Sequence, residues 1–387
     1  EQHWIGSIPT ANITAEVGSW TTRNAIALDI DIPKQIAQLG AHCWTSNTTA
    51  ICADQPLVLG TTGSASLTLT DADLQILADY YPDGIEVSGV ADGTLDAQWQ
   101  DGQLTGASAV VTGRPGKATV TGRSEAPLAI SYDEFLLSAS QMADGWVIDA
   151  AIMGEGIGQL SSHAVFDGLP AVDAPMSLTA SLTDMTLAPF ASLLPPTMSA
   201  NATVAAQILV KGSMSTPDIS GKMVVSDGRF HSESMPLLIE QASIILVLNN
   251  ELLDVVGDFN LGGGNSSVSG QADWRGGNWW SDFTLSGQQI ALFDQALQSF
   301  QIGFIGGQNT HDVHLELAQN DRTVRIDLSG GYTSNAHWVG NLTQAVIDSE
   351  FGIWQTARPT LLDLDINAST VDIAPHCWQN GAAAICA

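Results

Sequence analysis

The sequence predicts an all-β chain: an elongated, mostly antiparallel, curled sheet that forms an open groove with an apolar interior and carries a few short helices. Three observations lead to this prediction. Apolar and polar residues alternate with a period of two in many segments, 37 glycines are spread between those segments, and one stretch of 51 residues occurs twice. A period of two is typical of strands with one apolar and one polar face. Glycine-rich clusters between them indicate turns.

The duplicated stretch defines the predicted domain organisation. Residues 3–53 return at 337–387, displaced by 334 positions without a gap and with 20 identities. Such self-similarity indicates a repeat architecture. We expect residues 1–53 to end one repeat unit, 54–336 to form a continuous groove body, and 337–387 to begin the next copy. The chain then starts inside a repeat, so any membrane anchor or export signal is expected elsewhere in the protein.

The four cysteines all lie in the two copies, as Cys43 with Cys52 and Cys377 with Cys386. A zinc site is one reading, because His42 and His376 precede the first cysteine of each pair. Zinc prefers closer cysteine spacing and four ligands, however, and each copy offers three. Free thiols are a further alternative. A small disulfide-closed hairpin in an oxidising compartment is favoured.

The alternating segments supply the candidate functional residues. In each of them apolar side chains face one way and charged or polar side chains face the other, as Leu315 and Leu317 do against Glu316. We expect the apolar members to line the groove: Leu28, Ile30, Ile32, Val313, Leu315, Leu317, Val324, Ile326, Leu328, Leu362, Leu364 and Ile366.

Helices are predicted at three places. The first is 71–81, which Thr70 or Asp71 can cap and Pro82 can end. A related element recurs 113 residues later, so that 69–82 and 182–195 form a sub-repeat, and Pro189 predicts a shorter or broken helix there. The third candidate is 290–298. Glycine clusters at 262–265, 275–278 and 329–331 predict turns.

Composition excludes several functions. Acidic residues outnumber basic ones by 41 to 12, for a net charge of −29, whereas nucleic-acid binding needs clustered Lys and Arg. The sequence contains no nucleophile elbow, phosphate loop, metalloprotease or dinucleotide motif. Neither an enzyme, a cofactor nor a metal site is therefore expected. The recurring Trp4, Trp20 and Trp44 are read as structural anchors, with a sugar-binding platform as the alternative.

Several segments resemble the TamB family of the AsmA-like group. They are KGSMSTPDISGKMVVSDGRF at 211–230, PLLIE at 236–240, NLGGGNSSVSGQADW at 260–274 and DFTLSGQQIAL at 282–292, together with the two HCW…C cassettes. The resemblance implies a periplasmic β-structure folded like a taco, in a protein anchored in the inner membrane. It also implies an outer-membrane partner, TamA, which we expect to be contacted by regions outside this chain.

These expectations combine into one functional hypothesis. A long apolar trough suits phospholipid acyl chains, and members of the group are linked to phospholipid delivery to the outer membrane. The chain is thus expected to be a length of periplasmic lipid conduit supporting outer-membrane biogenesis. The alternative is a chaperone-like scaffold for autotransporters and other nascent outer-membrane β-barrel proteins. A third alternative, a β-solenoid with a filled core, would be an adhesin or a polysaccharide-active enzyme.

Overall fold

The computed structural model describes residues 2–15, 17–81, 83–121, 127–195, 197–232, 237–275, 279–292, 295–334 and 337–387. The chain divides into two compact units. Unit 1 comprises residues 1–193 and 205–218, and unit 2 comprises residues 194–204 and 219–387. Strands dominate both units, and the strand pairs described below are antiparallel. The predicted all-β, mostly antiparallel fold class is confirmed.

Unit 1 consists of short strands that pair mainly with their neighbours in sequence. They are β1 (His3–Ile8), β2 (Asn12–Ala15), β3 (Gly18–Thr22), β4 (Ile26–Asp31), β5 (Ile36–Leu39), β6 (His42–Ser46), β7 (Thr49–Ala53), β8 (Leu57–Gly60), β9 (Gly63–Asp73), β10 (Ile85–Ser88), β11 (Val90–Gln100), β12 (Gln103–Gly113), β13 (Gly116–Val120), β14 (Leu128–Tyr132), β15 (Glu134–Met142), β16 (Gly145–Gly154), β17 (Gly158–Asp167) and β18 (Met176–Thr186). β10, β13 and β14 form a separate small sheet.

Two strands have residues in both units: β19 (Met198–Gly212) and β20 (Pro217–Ser232). Unit 2 continues with eight longer strands in a regular meander and then five short strands. They are β21 (Leu237–Asn249), β22 (Leu252–Leu261), β23 (Gly264–Asp273), β24 (Trp280–Leu292), β25 (Gln295–Gly307), β26 (His311–Gln319), β27 (Arg322–Ser334), β28 (His337–Ser349), β29 (Gly352–Thr356), β30 (Thr360–Asp365), β31 (Thr370–Ile373), β32 (Cys377–Asn380) and β33 (Ala383–Cys386).

Both helices of the described residues are short 3₁₀ helices, Leu74–Tyr80 and Ala188–Leu193. The first is shorter than predicted because β9 runs on to Asp73, whose side chain caps the helix by accepting from the Gln75 amide at 3.0 Å. The predicted terminator Pro82 lies outside the described residues. The second contains Pro189, in agreement with the predicted shorter helix.

The third predicted helix, 290–298, is wrong. Of its residues, 290–292 end β24 and 295–298 begin β25, where Ile290 lies opposite Leu297. Residues 293 and 294 lie outside the described residues. The turn predicted at 329–331 is also wrong, since Ser329–Gly331 lies inside β27 and pairs with β28. The glycines at 262 and 263 do form a turn. Most of the cluster at 275–278 lies outside the described residues.

The duplicated stretch folds as a structural repeat, which we name cassette 1 (residues 3–53) and cassette 2 (residues 337–387). Every pairing within cassette 1 recurs in cassette 2 with both partners shifted by 334 positions. Thr22 Oγ1 accepts from the Ala11 amide at 2.9 Å, as Thr356 Oγ1 does from Ala345 at 3.0 Å. The predicted disulfides are present, Cys43 to Cys52 and Cys377 to Cys386.

Two strands of unit 2, β21 and β24, contain a β-bulge. Gln241 in β21 and Gln289 in β24 adopt positive φ values of 52° and 56°, and the pairing register skips both residues. Asn260 Nδ2 of β22 donates to the Gln241 side chain at 2.8 Å. A bulge bends its strand and increases the local twist, so these glutamines mark where β21 and β24 depart from regular strand geometry.

Candidate functional site

The strand register of unit 2 places apolar side chains opposite one another on four neighbouring strands, β24–β27. Side chains two residues apart share a face of the sheet, so these residues form rows that cross the strands. The rows are Phe283, Phe304, Val313 and Leu328; then Leu285, Ile302, Leu315 and Ile326; then Gly287, Phe300, Leu317 and Val324. We call this surface the apolar face. It contains all six groove residues predicted for β26 and β27.

The rows extend to strands on both sides. Val268 of β23 lies opposite Leu285 and opposite Gly257 of β22, while Ala345 and Ile347 of β28 lie opposite Ile326 and Val324. At a strand spacing of 4.7–4.9 Å, the seven strands β22–β28 carry this face for roughly 30 Å. The contributions of β24 and β25 were missed in the sequence, although Phe300, Ile302 and Phe304 alternate there as clearly as the residues of β26.

The other face of the same strands is polar. His314 Nδ1 lies 2.5 Å from Asp327 Oδ1, and an ion pair of 3.4 Å joins Arg325 to Glu316. All four groups are exposed or half-buried. The sheet therefore separates an apolar surface from a charged, hydrated one, as the alternation predicted.

The apolar face is closed at one edge, beside the row that contains Phe300 and Leu317. Beyond the bulges, Ile290 and Leu261 pack with Phe300 in a buried cluster that Leu285, Leu297 and Leu317 extend. Ile290 is 1% exposed and Phe300 is 6% exposed. Phe300, which belongs to the last row of the apolar face, is therefore packed away from water.

At the opposite edge of the apolar face, the row that contains Phe304 and Val313 adjoins an aromatic cluster. His311 of β26 is nearly completely buried between Phe304, Tyr332 and Trp338. The Trp338 indole N–H donates to His311 Nε2 at 2.8 Å, and His311 Nδ1 lies 2.9 Å from the Gly307 carbonyl oxygen. Since indole can only donate, Nε2 accepts and Nδ1 carries the proton. Both imidazole nitrogens are thus committed to structure.

Between these two edges the apolar face stays accessible. Ile302 is 36% exposed, and its row partners Leu315 and Ile326 are half-buried. Burial of apolar area is favourable by about 25 cal/mol per Å² and is not directional. What this arrangement can do chemically is to shelter flexible hydrocarbon without fixing its orientation.

Unit 1 carries a similar face on β11, β12 and β15–β18. One of its rows runs Gly93, Val111, Leu137, Ala150, Ser162 and Ala180, and the next runs Leu95, Ala109, Ala139, Ile148, Ala164 and Leu178. Leu137 and Leu95 are more than 40% exposed. These side chains are smaller on average than those of unit 2, and none of them was among the groove residues predicted from the sequence.

The small sheet covers part of this face. Tyr132 of β14 and Leu74 of the first 3₁₀ helix form a buried cluster with Ala91 of β11, against which Val87 and Phe135 pack. The Tyr132 hydroxyl donates to the Ser88 carbonyl at 3.1 Å, and the Tyr81 hydroxyl donates to the Leu74 carbonyl at 2.8 Å. Burial raises the pKa of Tyr132, and burial likewise raises the pKa of Tyr81.

The predicted groove residues of the cassettes occupy equivalent places. Leu28 and Ile30 lie in β4, where Ile30 faces Trp4 and Ala37, whereas Ile32 follows the strand and is exposed. In cassette 2, Leu364 lies in β30 opposite Trp338, and Ile366 follows that strand and is exposed. Leu362, in the same strand, is buried.

The described residues contain neither a membrane-spanning helix nor a metal cluster. No helix in those ranges is long and apolar enough to cross a membrane. Within the same ranges, no group of three or more His, Cys, Asp or Glu side chains is placed to hold a metal ion.

Comparison with protein families adds to this geometry. The family model described as TamB, N-terminal domain, matches residues 1–225 and 260–387, which is most of the chain. The chain belongs to the TamB family. The resemblance noted in the sequence is thereby confirmed. No solved structure matches the chain.

Family membership fixes the general class of the protein. TamB-family proteins span the periplasm, act as non-enzymatic components of translocation and assembly modules, and associate with TamA. The unmatched segment, 226–259, includes the end of β20, all of β21 and most of β22. Its strands pair in the same antiparallel ladder as the matched strands around them.

Proposed function

We propose that this chain is a periplasmic segment of a conduit that carries phospholipid between the inner and outer membranes. The apolar face takes the acyl chains, and the headgroups remain in water. The observation that carries the proposal is the uninterrupted set of apolar rows across β24–β27, accessible between its two edges.

The physical chemistry of the face supports movement of cargo rather than storage. Each methylene removed from water contributes about 0.8 kcal/mol, so an acyl chain gains much from the surface as a whole. Neighbouring strands present similar side chains within each row, so a displacement across one strand exchanges one set of contacts for an equivalent one. Such a surface needs no specific pocket.

An arginine placed in the rows tests the proposal. Ile326→Arg and Leu317→Arg put a charge on the apolar face, where it repels hydrocarbon and draws in water. The matched control is Thr323→Arg, which adds the same charge on the exposed polar face of the same strand. Ile326→Arg should lose phospholipid that co-purifies with the chain, measured by native mass spectrometry, while Thr323→Arg keeps it. Equal lipid content in both variants would sink the proposal.

Photocrosslinking supplies a second readout. A photoreactive residue at Leu315 should crosslink to phospholipid, and the same residue at the neighbouring Glu316, on the opposite face, should not. Leu317→Arg should weaken the crosslink from Leu315 because the two side chains lie along one strand in adjacent rows. Crosslinks of equal yield from both faces would mean that lipid adheres without using the apolar face.

A further inference from the structure

One edge of the apolar face carries a continuous series of aromatic rings. Trp279, which precedes β24, stacks on Phe304 of the first apolar row with ring centroids 6.1 Å apart. Phe304 contacts His311 at 4.8 Å, and His311 contacts Tyr332 at 5.8 Å and Trp338 at 6.2 Å. We call these five side chains the aromatic rim. It runs from β24 to β28 and borders the apolar face on the side opposite the closed edge.

Two tryptophans are exposed where the rim begins, at the hairpin between β23 and β24. Trp274 is 37% exposed and Trp279 is 41% exposed. The Trp274 amide continues the strand ladder by donating to the Glu251 carbonyl at 3.0 Å, so Trp274 keeps the alternation of Gly270 and Ala272 and lies on the apolar side. Among the residues that the structure describes, neither indole N–H has a hydrogen-bond acceptor.

Indole suits a boundary between hydrocarbon and water. Its ring is apolar and its single N–H is a donor, and tryptophan is enriched at the headgroup level of bilayers for this reason. The exposed indoles of Trp274 and Trp279 therefore match the ester carbonyls of a phospholipid. The closed edge differs, because Leu261 and Ile290 make it apolar and buried.

A cation lies beside the exposed indoles. Arg275 follows Trp274, and its side chain is 67% exposed. Its Nε and Nη2 atoms donate to the Asp273 carboxylate, while Nη1 has no partner within the part of the chain that the structure describes. Guanidinium groups bind phosphate oxygens well. In a phospholipid the phosphate and the esters share one glycerol, just as Arg275 and Trp274 are neighbours in the chain.

The width of the apolar face along its strands matches one leaflet of a bilayer. In β24 the three rows run from Phe283 to Gly287, which is about 13 Å for four steps along a strand. The hydrocarbon of one leaflet is about 15 Å deep, since the whole core measures about 30 Å. Acyl chains that begin at the aromatic rim and lie along the strands therefore end beside the buried cluster of Phe300.

We propose that the aromatic rim is the headgroup edge of the apolar face. The acyl chains of each phospholipid lie along β24–β27, its glycerol esters contact Trp274 and Trp279, and its phosphate contacts Arg275. Lipid then moves sideways, across the strands, with its headgroup following the rim. This inference rests on the proposed function and adds to it the orientation of the lipid and the residues that set this orientation.

Position-resolved crosslinking tests the orientation. Two phosphatidylcholine analogues carry a diazirine, one in the headgroup and one at the end of an acyl chain, and the labelled peptides of the whole chain are mapped by mass spectrometry. The headgroup probe should label the neighbourhood of Trp274 and Trp279, and the acyl-end probe should label that of Phe300 and Leu317. Headgroup labelling beside Phe300, or labelling by both probes without preference, would overturn the inference and leave the conduit in place. Absence of labelling of the apolar face by either probe would overturn the proposed function itself.

Trp280 provides a matched control on the same hairpin. It is 43% exposed, but it lies opposite Asp273 on the polar face. Trp274→Ala and Trp279→Ala should each weaken binding of a fluorescent phosphatidylcholine about threefold to tenfold, whereas Trp280→Ala should bind as the parent chain does. Circular dichroism checks that each variant is folded. Equal losses in Trp279→Ala and Trp280→Ala would overturn the role of the rim.

Arg275→Gln separates the phosphate contact from the acyl contacts. It should weaken binding of phosphatidylcholine about threefold and leave unchanged the binding of diacylglycerol, which has the same acyl chains and esters but no phosphate. The control Arg322→Gln removes an exposed guanidinium paired with Glu350 beyond the closed edge and should alter neither. An equal effect of Arg275→Gln on both lipids, or an effect on neither, would overturn the placement of the phosphate at this edge.

Discussion

The indole N–H of Trp338 donates to Nε2 of His311, 2.8 Å away, in a bond between two nearly completely buried side chains. The bond links β28 to β26 across the intervening strand β27, which provides only Gly330 between them. It therefore connects three successive strands at one edge of the apolar face, next to the row that contains Val313. In cassette 1 the equivalent indole, Trp4, is half exposed.

Loss of this imidazole should destabilise unit 2. His311→Ala leaves the Trp338 N–H without its acceptor in a buried site and opens a cavity among Phe304 and Tyr332, so we expect a loss of about 2–4 kcal/mol in the free energy of unfolding. Urea denaturation followed by tryptophan fluorescence measures it. The control is His163→Ala, an exposed residue paired with Asp149, which should change stability by less than about 0.5 kcal/mol. Equal effects of the two changes would contradict this account of His311.

Glycine is needed at position 340 for a steric reason. A Cβ there would lie 2.4 Å from the Trp338 ring and 2.6 Å from the Ser329 carbonyl oxygen. Gly340→Ala should therefore cost about 2 kcal/mol or more, because neither the buried ring nor the backbone can move away. Gly106 of β12 has no atom within 4 Å of its added Cβ, and Gly106→Ala should be neutral or stabilising by up to about 1 kcal/mol. Thermal unfolding of both variants gives the comparison, and similar shifts would refute it.

The two disulfides should differ in their response to reductant. Each closes a loop with a sequence separation of 9, which corresponds to about 2.5 kcal/mol of chain entropy. Cys386 is exposed, whereas Cys52 is half-buried beside β9. Thiolate attack requires access to sulfur, so low concentrations of dithiothreitol should reduce Cys377–Cys386 first. Differential alkylation and peptide mapping would show the order; faster reduction of Cys43–Cys52 would contradict it.

Alkaline pH should loosen the small sheet of unit 1. Burial raises the pKa of Tyr132 and of Tyr81 above the ordinary value of 10.0. A group whose pKa is raised by folding contributes stability that is complete below the unfolded pKa and is lost as pH rises through the folded pKa. Stability should thus hold up to about pH 10 and fall above it.

Absorbance at 295 nm reports tyrosinate formation directly, with circular dichroism as the readout of structure. Tyr132→Phe removes one of the two groups and should make the alkaline loss of stability smaller. Titration of all tyrosines at their ordinary pKa in the folded chain would show that the small sheet does not bury them.

Where periodicity was strict, the sequence was a reliable guide. Val313, Leu315 and Leu317 alternate cleanly, and the structure places them in one strand with their side chains on one face. The repeat was equally informative, since residues that match between the cassettes occupy matching ladder positions. These features could be predicted because a period of two in the chain is a property of the strand itself.

The failures come from contacts between distant strands. Ser329–Gly331 reads as a turn, yet Gly330 is retained in mid-strand so that the Trp338 ring can lie across it. The segment 290–298 has helical spacing of apolar residues, but the bulge at Gln289 redirects Ile290 into the cluster around Phe300. Tertiary packing overrides local pattern in both cases, and no local rule reports it.

The rows of the apolar face cross the strands along the direction of the backbone hydrogen bonds. Each added hairpin therefore contributes two more members to every row without altering the register of the strands already present. At the usual strand spacing, one hairpin lengthens such a face by about 10 Å. A sheet of this kind can change its reach in whole-hairpin steps, and its length is then set by how many hairpins the gene encodes rather than by any individual side chain.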